Sequence, residues 1–147
     1  MTASAFRSQV EKLIDALALR MGESGLTLDG TDTCHLGRPD DGGATLIFME
    51  GDGAALLMLA TVVGRLDFAD REPFLRQALR ANFYGRGTNG ATLSLGPQDD
   101  VLLHRALTVD DALTLMALEQ ALDLLFDTTS AWTQALQSLQ PELPDLS

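Results

Sequence analysis

Residues 44–66 read ATLIFMEGDGAALLMLATVVGRL, two apolar runs on either side of the turn Gly51-Asp52-Gly53. Such a pattern is the signature of an antiparallel hairpin. A sheet with one wet face alternates apolar and polar residues. Here both sets of alternate positions are apolar. One face of the hairpin must therefore cover a helix, and the other needs a second partner.

The rest of the chain supplies the helices. Phe6, Val10, Leu13, Ile14, Leu17 and Met21 fall at helical spacing, and Gly22 and Gly25 end that run. LTLDG and TCHLG flank Gly30 and predict a small hairpin or one irregular strand, followed by the turn cluster RPDDGG. A second helix is expected over about 71–83, capped by Asp70, with Phe74, Leu75, Ala78, Leu79, Asn82 and Phe83 on its apolar face. GRGTNG then turns the chain into the strand ATLSLG, and QDD turns it into VLLHRAL. The last helix is expected over about 109–139, with a capping box at Thr108 and Asp111. Residues 140–147 read as a frayed tail. The predicted order is α-β-β-β-α-β-β-α: an α+β sandwich, with helices packed on a twisted, mainly antiparallel sheet. No repeat or linker divides residues 1–147, so one domain is expected.

Charge narrows the partners. The chain carries 21 acidic and 10 basic residues, a net charge of −11. Such a surface repels phosphate backbones and anionic lipid, which argues against nucleic acid and membrane partners. The N-terminal segment has spaced apolar residues broken by charges, unlike a secretory signal. The single cysteine, Cys34, cannot form an internal disulfide and suits a reducing cytoplasm.

No motif for catalysis emerges. GRGTNG follows a helix and precedes a strand, the reverse of a phosphate-binding loop, and it lacks the Lys-Ser/Thr pair. Cys34 and His35 are adjacent on a strand, so their side chains point to opposite faces and cannot chelate together. The acidic pairs Asp40-Asp41, Asp99-Asp100 and Asp110-Asp111 sit in turns or at a helix start. No catalytic residue, metal ligand or cofactor is expected. A small enzyme built on Cys34, His104 and an aspartate is the competing chemical reading. What remains is apolar surface in excess of what three helices and five short strands can cover, which points to protein partners.

The segment LRQALRANFYGRGTNGATLSLGPQDDVLLHRAL, residues 75–107, carries a resemblance. Leu79-Arg80-Ala81-Asn82-Phe83 ends a helix, Gly85 to Gly90 form a glycine-rich turn, and Ala91 to Leu95 form a strand. Asp99-Asp100 is an acidic turn, Val101 to Leu107 a further strand, and Trp132 lies on a long last helix. Together with size and charge, this layout resembles the class I type III secretion chaperones, the Tir chaperone family. The resemblance implies a cytoplasmic bacterial homodimer that uses no cofactor. It binds the N-terminal, non-globular region of a secreted effector and keeps it soluble and export-competent, with the export ATPase as a docking partner. The resemblance places the dimer interface at Phe74, Leu75, Ala78, Leu79, Asn82, Phe83 and Leu93. It places effector contacts at Leu13, Leu17, Leu28, Leu36, Ile47, Met49, Leu57 and Leu59. The alternative is a regulatory or scaffold protein of the same fold that binds a folded partner.

Overall fold

Alternation along the hairpin decides where the helices sit. The computed structural model describes residues 3–37 and 42–139. Strand β2 spans Ala44–Gly51 and β3 spans Ala54–Arg65. Ala44, Leu46 and Phe48 of β2 and Ala55, Leu57, Leu59, Thr61 and Val63 of β3 are buried, while their sequence neighbours are half-buried or exposed. Strands β1 (Thr33–Leu36), β4 (Thr92–Leu95) and β5 (Asp100–Thr108) complete a five-stranded antiparallel sheet, ordered β1-β2-β3-β5-β4. The expected order of elements and the α+β architecture are what the structure has.

Helix α1 spans Ala3–Met21 and packs on β2; α3 spans Leu115–Leu139 and lies across β3 and β5. Both bury their apolar stripes on the same face of the sheet. Val10, Ile14 and Leu17 meet Leu118, Leu122 and Leu125 in one core. Burying side chains of this size contributes roughly 1.5–3 kcal/mol each. Helix α1 ends where Gly22 takes φ 68°, with Glu23 N–H reaching back to the Ala18 carbonyl at 3.0 Å. That is the left-handed helix stop for which glycine is suited.

Threonines tie α3 to the sheet. The hydroxyls of Thr61 and Thr129 lie 2.6 Å apart, and Thr133 Oγ1 donates to the Val63 carbonyl at 2.9 Å. A register shift between Val62 and Gly64 bends β3 where Leu136 crosses it. A Cβ on Gly64 would lie 2.6 Å from Leu136 Cδ2, so a larger residue there would make the Leu136 side chain move.

Three helix and turn expectations need correction. Helix α3 starts at Leu115, because Thr114 is its cap: Thr114 Oγ1 accepts from Ala117 N–H at 3.1 Å. Residues 109–114 form a separate turn in which Asp110 accepts from Ala112 N–H. Helix α2 spans Glu72–Asn82, and Arg71 is its N-cap with no side-chain cap bond; Pro73 in its first turn lacks the N–H that a cap would serve. LTLDG forms no strand. Asp29 instead accepts from Thr31 Oγ1 and from the Thr31 and Thr33 amides, a local turn that competes with sheet pairing. Those bonds, the Thr31 hydroxyl first, hold the Asp29 carboxyl below its ordinary range. The expected tail and most of the RPDDGG turn lie outside the described residues.

Candidate partner-binding surfaces

Helix α2 buries Phe74 and Ala78 in the core, with Leu75 and Ala81 packed half-buried against it. Its ends are pinned by two contacts. The Phe74 ring meets Trp132 of α3, and Asn82 bonds the backbone of β4 at Leu93. The next residues, Phe83–Gly85, form a 3-10 turn in which Tyr84 takes φ 54°. A left-handed aromatic residue is uncommon and unfavourable, and nothing in the sequence marks it. It sets the Tyr84 ring against Phe83 with centroids 4.5 Å apart and planes inclined at 60°, and both rings stand in solvent.

A groove of about 110 Å³ runs between α2 and the edge of the sheet. Phe74, Ala78 and Leu93 form its buried floor, and Leu75, Leu79 and Asn82 its helix wall. Six of the seven residues singled out for a dimer contact thus come together, and the seventh, Phe83, is exposed beside them. Leu79 is 72% exposed and Tyr84 83%. Sequence reasoning missed Tyr84 and Leu95; both were legible as apolar residues next to the expected set.

The eight residues singled out for guest contacts divide among four places. Leu17 and Leu36 line a groove of about 260 Å³ between α1, β1 and α3, with Met21, Leu122 and Phe126 beside them. Leu13 lines a separate groove with Gln9, Lys12 and Leu113. Ile47 and Met49 lie on the sheet face away from the helices. Leu28, Leu57 and Leu59 sit in the core, with Leu57 and Leu59 fully enclosed. The pleat sends Leu57 and Leu59 inward and their neighbours Leu56 and Met58 outward. Leu56 and Met58 are therefore the β3 residues that a guest could touch.

That outward face has an unusual composition. One cross-strand row reads Thr33, Ile47, Met58, Ala106, and the next reads His35, Thr45, Ala60, His104, Thr92. Met49 and Leu56 pair in the next row towards the hairpin turn. Between that turn and the Arg65–Asp100 ion pair at the opposite rim, the face carries no Asp, Glu, Lys or Arg among the described residues. A water-facing sheet face in a chain with 21% charged residues would be expected to carry several. Thr45 Oγ1 lies 3.1 Å from His35 Nδ1 on this face.

Cys34 lies on the inner face of β1 and His104 on the outer face of β5. Burial pushes the Cys34 thiol above its ordinary range, so the arrangement offers no thiolate–imidazole pair. The sheet separates the groups the chemical reading would need together.

The model of the Tir chaperone protein (CesT) family matches residues 12–133. The chain belongs to that family. Its fold is shared by several solved structures. One is the ExsC–ExsE complex, with 24% identity, 88% of this chain and 95% of that chain covered, and a TM-score of 0.72. A second is the HopA1–SchA chaperone–effector complex, with 15% identity, 91% and 99% coverage, and a TM-score of 0.66. A third is the type III secretion chaperone SycH of Yersinia pestis in complex with a stable fragment of YscM2, with 16% identity, 83% and 98% coverage, and a TM-score of 0.60. No curated protein matches the sequence. Among the described residues no helix is long and apolar enough to cross a membrane.

Proposed function

We propose that this chain is a type III secretion chaperone that binds the N-terminal, non-globular segment of a secreted effector and keeps it soluble and export-competent. The observation that carries this reading is the outer face of the sheet, which among the described residues bears the apolar cluster Ile47, Met49, Leu56 and Met58 and no Asp, Glu, Lys or Arg between its rims, on a chain of net charge −11. An extended segment suits such a surface. It can lay alternate side chains along the Ile47–Met58 and Met49–Leu56 rows and continue past β1 into the groove that Leu17 and Leu36 line. Met49 and Met58 repack readily around different apolar side chains.

The same reading takes the α2–β4 groove as the contact between two copies. Leu79, Phe83 and Tyr84 supply apolar area at low side-chain entropy cost for the two rings. The twofold pairing of a self-complementary patch is the commonest way such a surface is covered. The complex works in the cytoplasm, without cofactor or catalysis, and presents the effector to the export ATPase.

Light scattering and co-expression test this together. The wild type is expected at twice the chain mass. Leu79→Asp, at an exposed position, is expected to halve that mass with the far-UV spectrum unchanged. Co-expression with a candidate secreted effector is expected to yield a soluble complex in which proteolysis trims the effector to an unfolded N-terminal segment. Capture of an intact folded domain instead would replace the chaperone reading with that of a scaffold. An unaltered mass for Leu79→Asp would move the dimer contact elsewhere.

A further inference from the structure

The β4 edge of the sheet is closed at Ala91 and Leu93, the end nearest α2. An edge strand exposes N–H and C=O groups on which another chain can continue the sheet. Leu93 turns both of its backbone groups away from β5. Its N–H donates to Asn82 Oδ1 at 2.8 Å, and its C=O accepts from Asn82 Nδ2 at 2.9 Å. A neighbouring antiparallel strand would hold the same residue through the same pair of bonds. Ala91, the outward residue before it, is filled as well: its N–H donates to the Thr88 carbonyl at 3.1 Å, and its C=O accepts from the Thr88 hydroxyl. Thr88 is fully enclosed, so this second closure is fixed by packing.

The closure stands where association is most strongly driven. Leu79, Phe83, Tyr84 and Leu95 are all exposed around it. Apolar side chains draw copies together without direction. An open strand edge in their midst would turn that attraction into a growing sheet. A carboxamide has one donor and one acceptor on the same end, so it can mimic a peptide group. Leucine at position 82 would match its size and mimic nothing.

We propose that Asn82 guards the β4 edge: its carboxamide stands in for the next strand, so copies of this chain that meet at the α2–β4 end dock through side chains and do not continue the sheet. The guard acts whether the protein is a monomer or a dimer, so its test is independent of the chaperone reading.

Two measurements on the whole protein decide it. In the wild type, the Leu93 amide is expected to exchange its hydrogen at least about tenfold more slowly than an unstructured amide, the factor that ~1.4 kcal/mol of protection gives. Exchange at the unstructured rate would overturn the proposal, and this readout needs no variant. Asn82→Leu is then expected to lose that protection and to grow beyond the wild-type mass on light scattering, with thioflavin T fluorescence. Asn82→Asp, which still accepts from Leu93 N–H, is expected to fall between the two. A folded Asn82→Leu variant that keeps the wild-type mass and stays dark with thioflavin T would also overturn it.

Discussion

The Phe74 ring meets Trp132 edge-on, with centroids 6.0 Å apart and planes at 90°. Trp132 Nε1 also donates to the Gly87 carbonyl at 3.0 Å, so one side chain of α3 holds both α2 and the loop that follows it. Phe74 is 1% exposed. Phe74→Ala is expected to destabilise the fold by about 3–5 kcal/mol through the cavity it leaves. Loss of the aromatic pair is part of that effect. Urea unfolding followed by circular dichroism measures it. A change under about 1 kcal/mol would mean that α2 is not anchored by this contact.

Gly87 is expected to resist substitution for a reason of space. A Cβ there would lie 2.7 Å from Ala81 Cβ and 2.9 Å from Ala81 Cα, and the latter is backbone that cannot swing aside. Gly87→Ala should cost about 1–3 kcal/mol by forcing the loop off α2. Gly30→Ala is the control: nothing lies within 4 Å of its Cβ, and its φ is not left-handed. Its melting temperature should stay near that of the wild type in differential scanning calorimetry.

Cys34 is expected to be inert in the folded protein. It is 2% exposed, and burial raises its thiol above the ordinary range. The Thr27 amide opposes that shift, while the charges of Asp29 and Glu23 add to it. A thiol ionises near pH ~8.5 in an unfolded chain, so the unfolded state gains a negative charge that the folded state does not. The folded form is therefore favoured below that pH, and the advantage is lost as pH rises through the ordinary thiol range towards the folded value. Iodoacetamide at pH 8 should label Cys34 only after denaturant is added, as mass spectrometry would show. Rapid labelling of the native protein would contradict the burial.

Period and punctuation made the fold legible. The hairpin over residues 44–66 announced itself by two apolar runs around a glycine turn, and Gly22 marked the stop of α1. The faces of the strands were not legible, because β3 is apolar at both alternate positions. Leu57 and Leu59 look the same as Leu56 and Met58 until the partner strands fix the pleat. The N-terminus of α3 was misplaced because Thr108 and Thr114 each begin an acceptable cap, and only packing of Val109 and Leu113 into the core separates the preceding turn from the helix. The α2–β4 groove was better marked, since a short helix repeats its apolar positions every turn. Tyr84 was legible as an aromatic residue beside Phe83, but its left-handed backbone leaves no trace in residue order.

The two faces of β3 give the sharpest test of where a guest binds. Leu57 is fully enclosed, so Leu57→Ala should destabilise the fold by about 2–5 kcal/mol, with effects on partner capture that merely follow unfolding. Leu56 is 37% exposed and pairs with Met49 on the outer face, so Leu56→Lys should leave the unfolding midpoint nearly unchanged. A guest that covers this row must then bury an unpaired ammonium, whose removal from water is costly. The complex with the co-expressed segment should weaken at least about tenfold, or ~1.4 kcal/mol. Titration calorimetry with the trimmed segment measures the change, and Met49→Lys across the strand should reproduce it. If both lysine variants bind as the wild type does, the guest does not cross the outer face at this row, and the groove between α1, β1 and α3 becomes the surface to search.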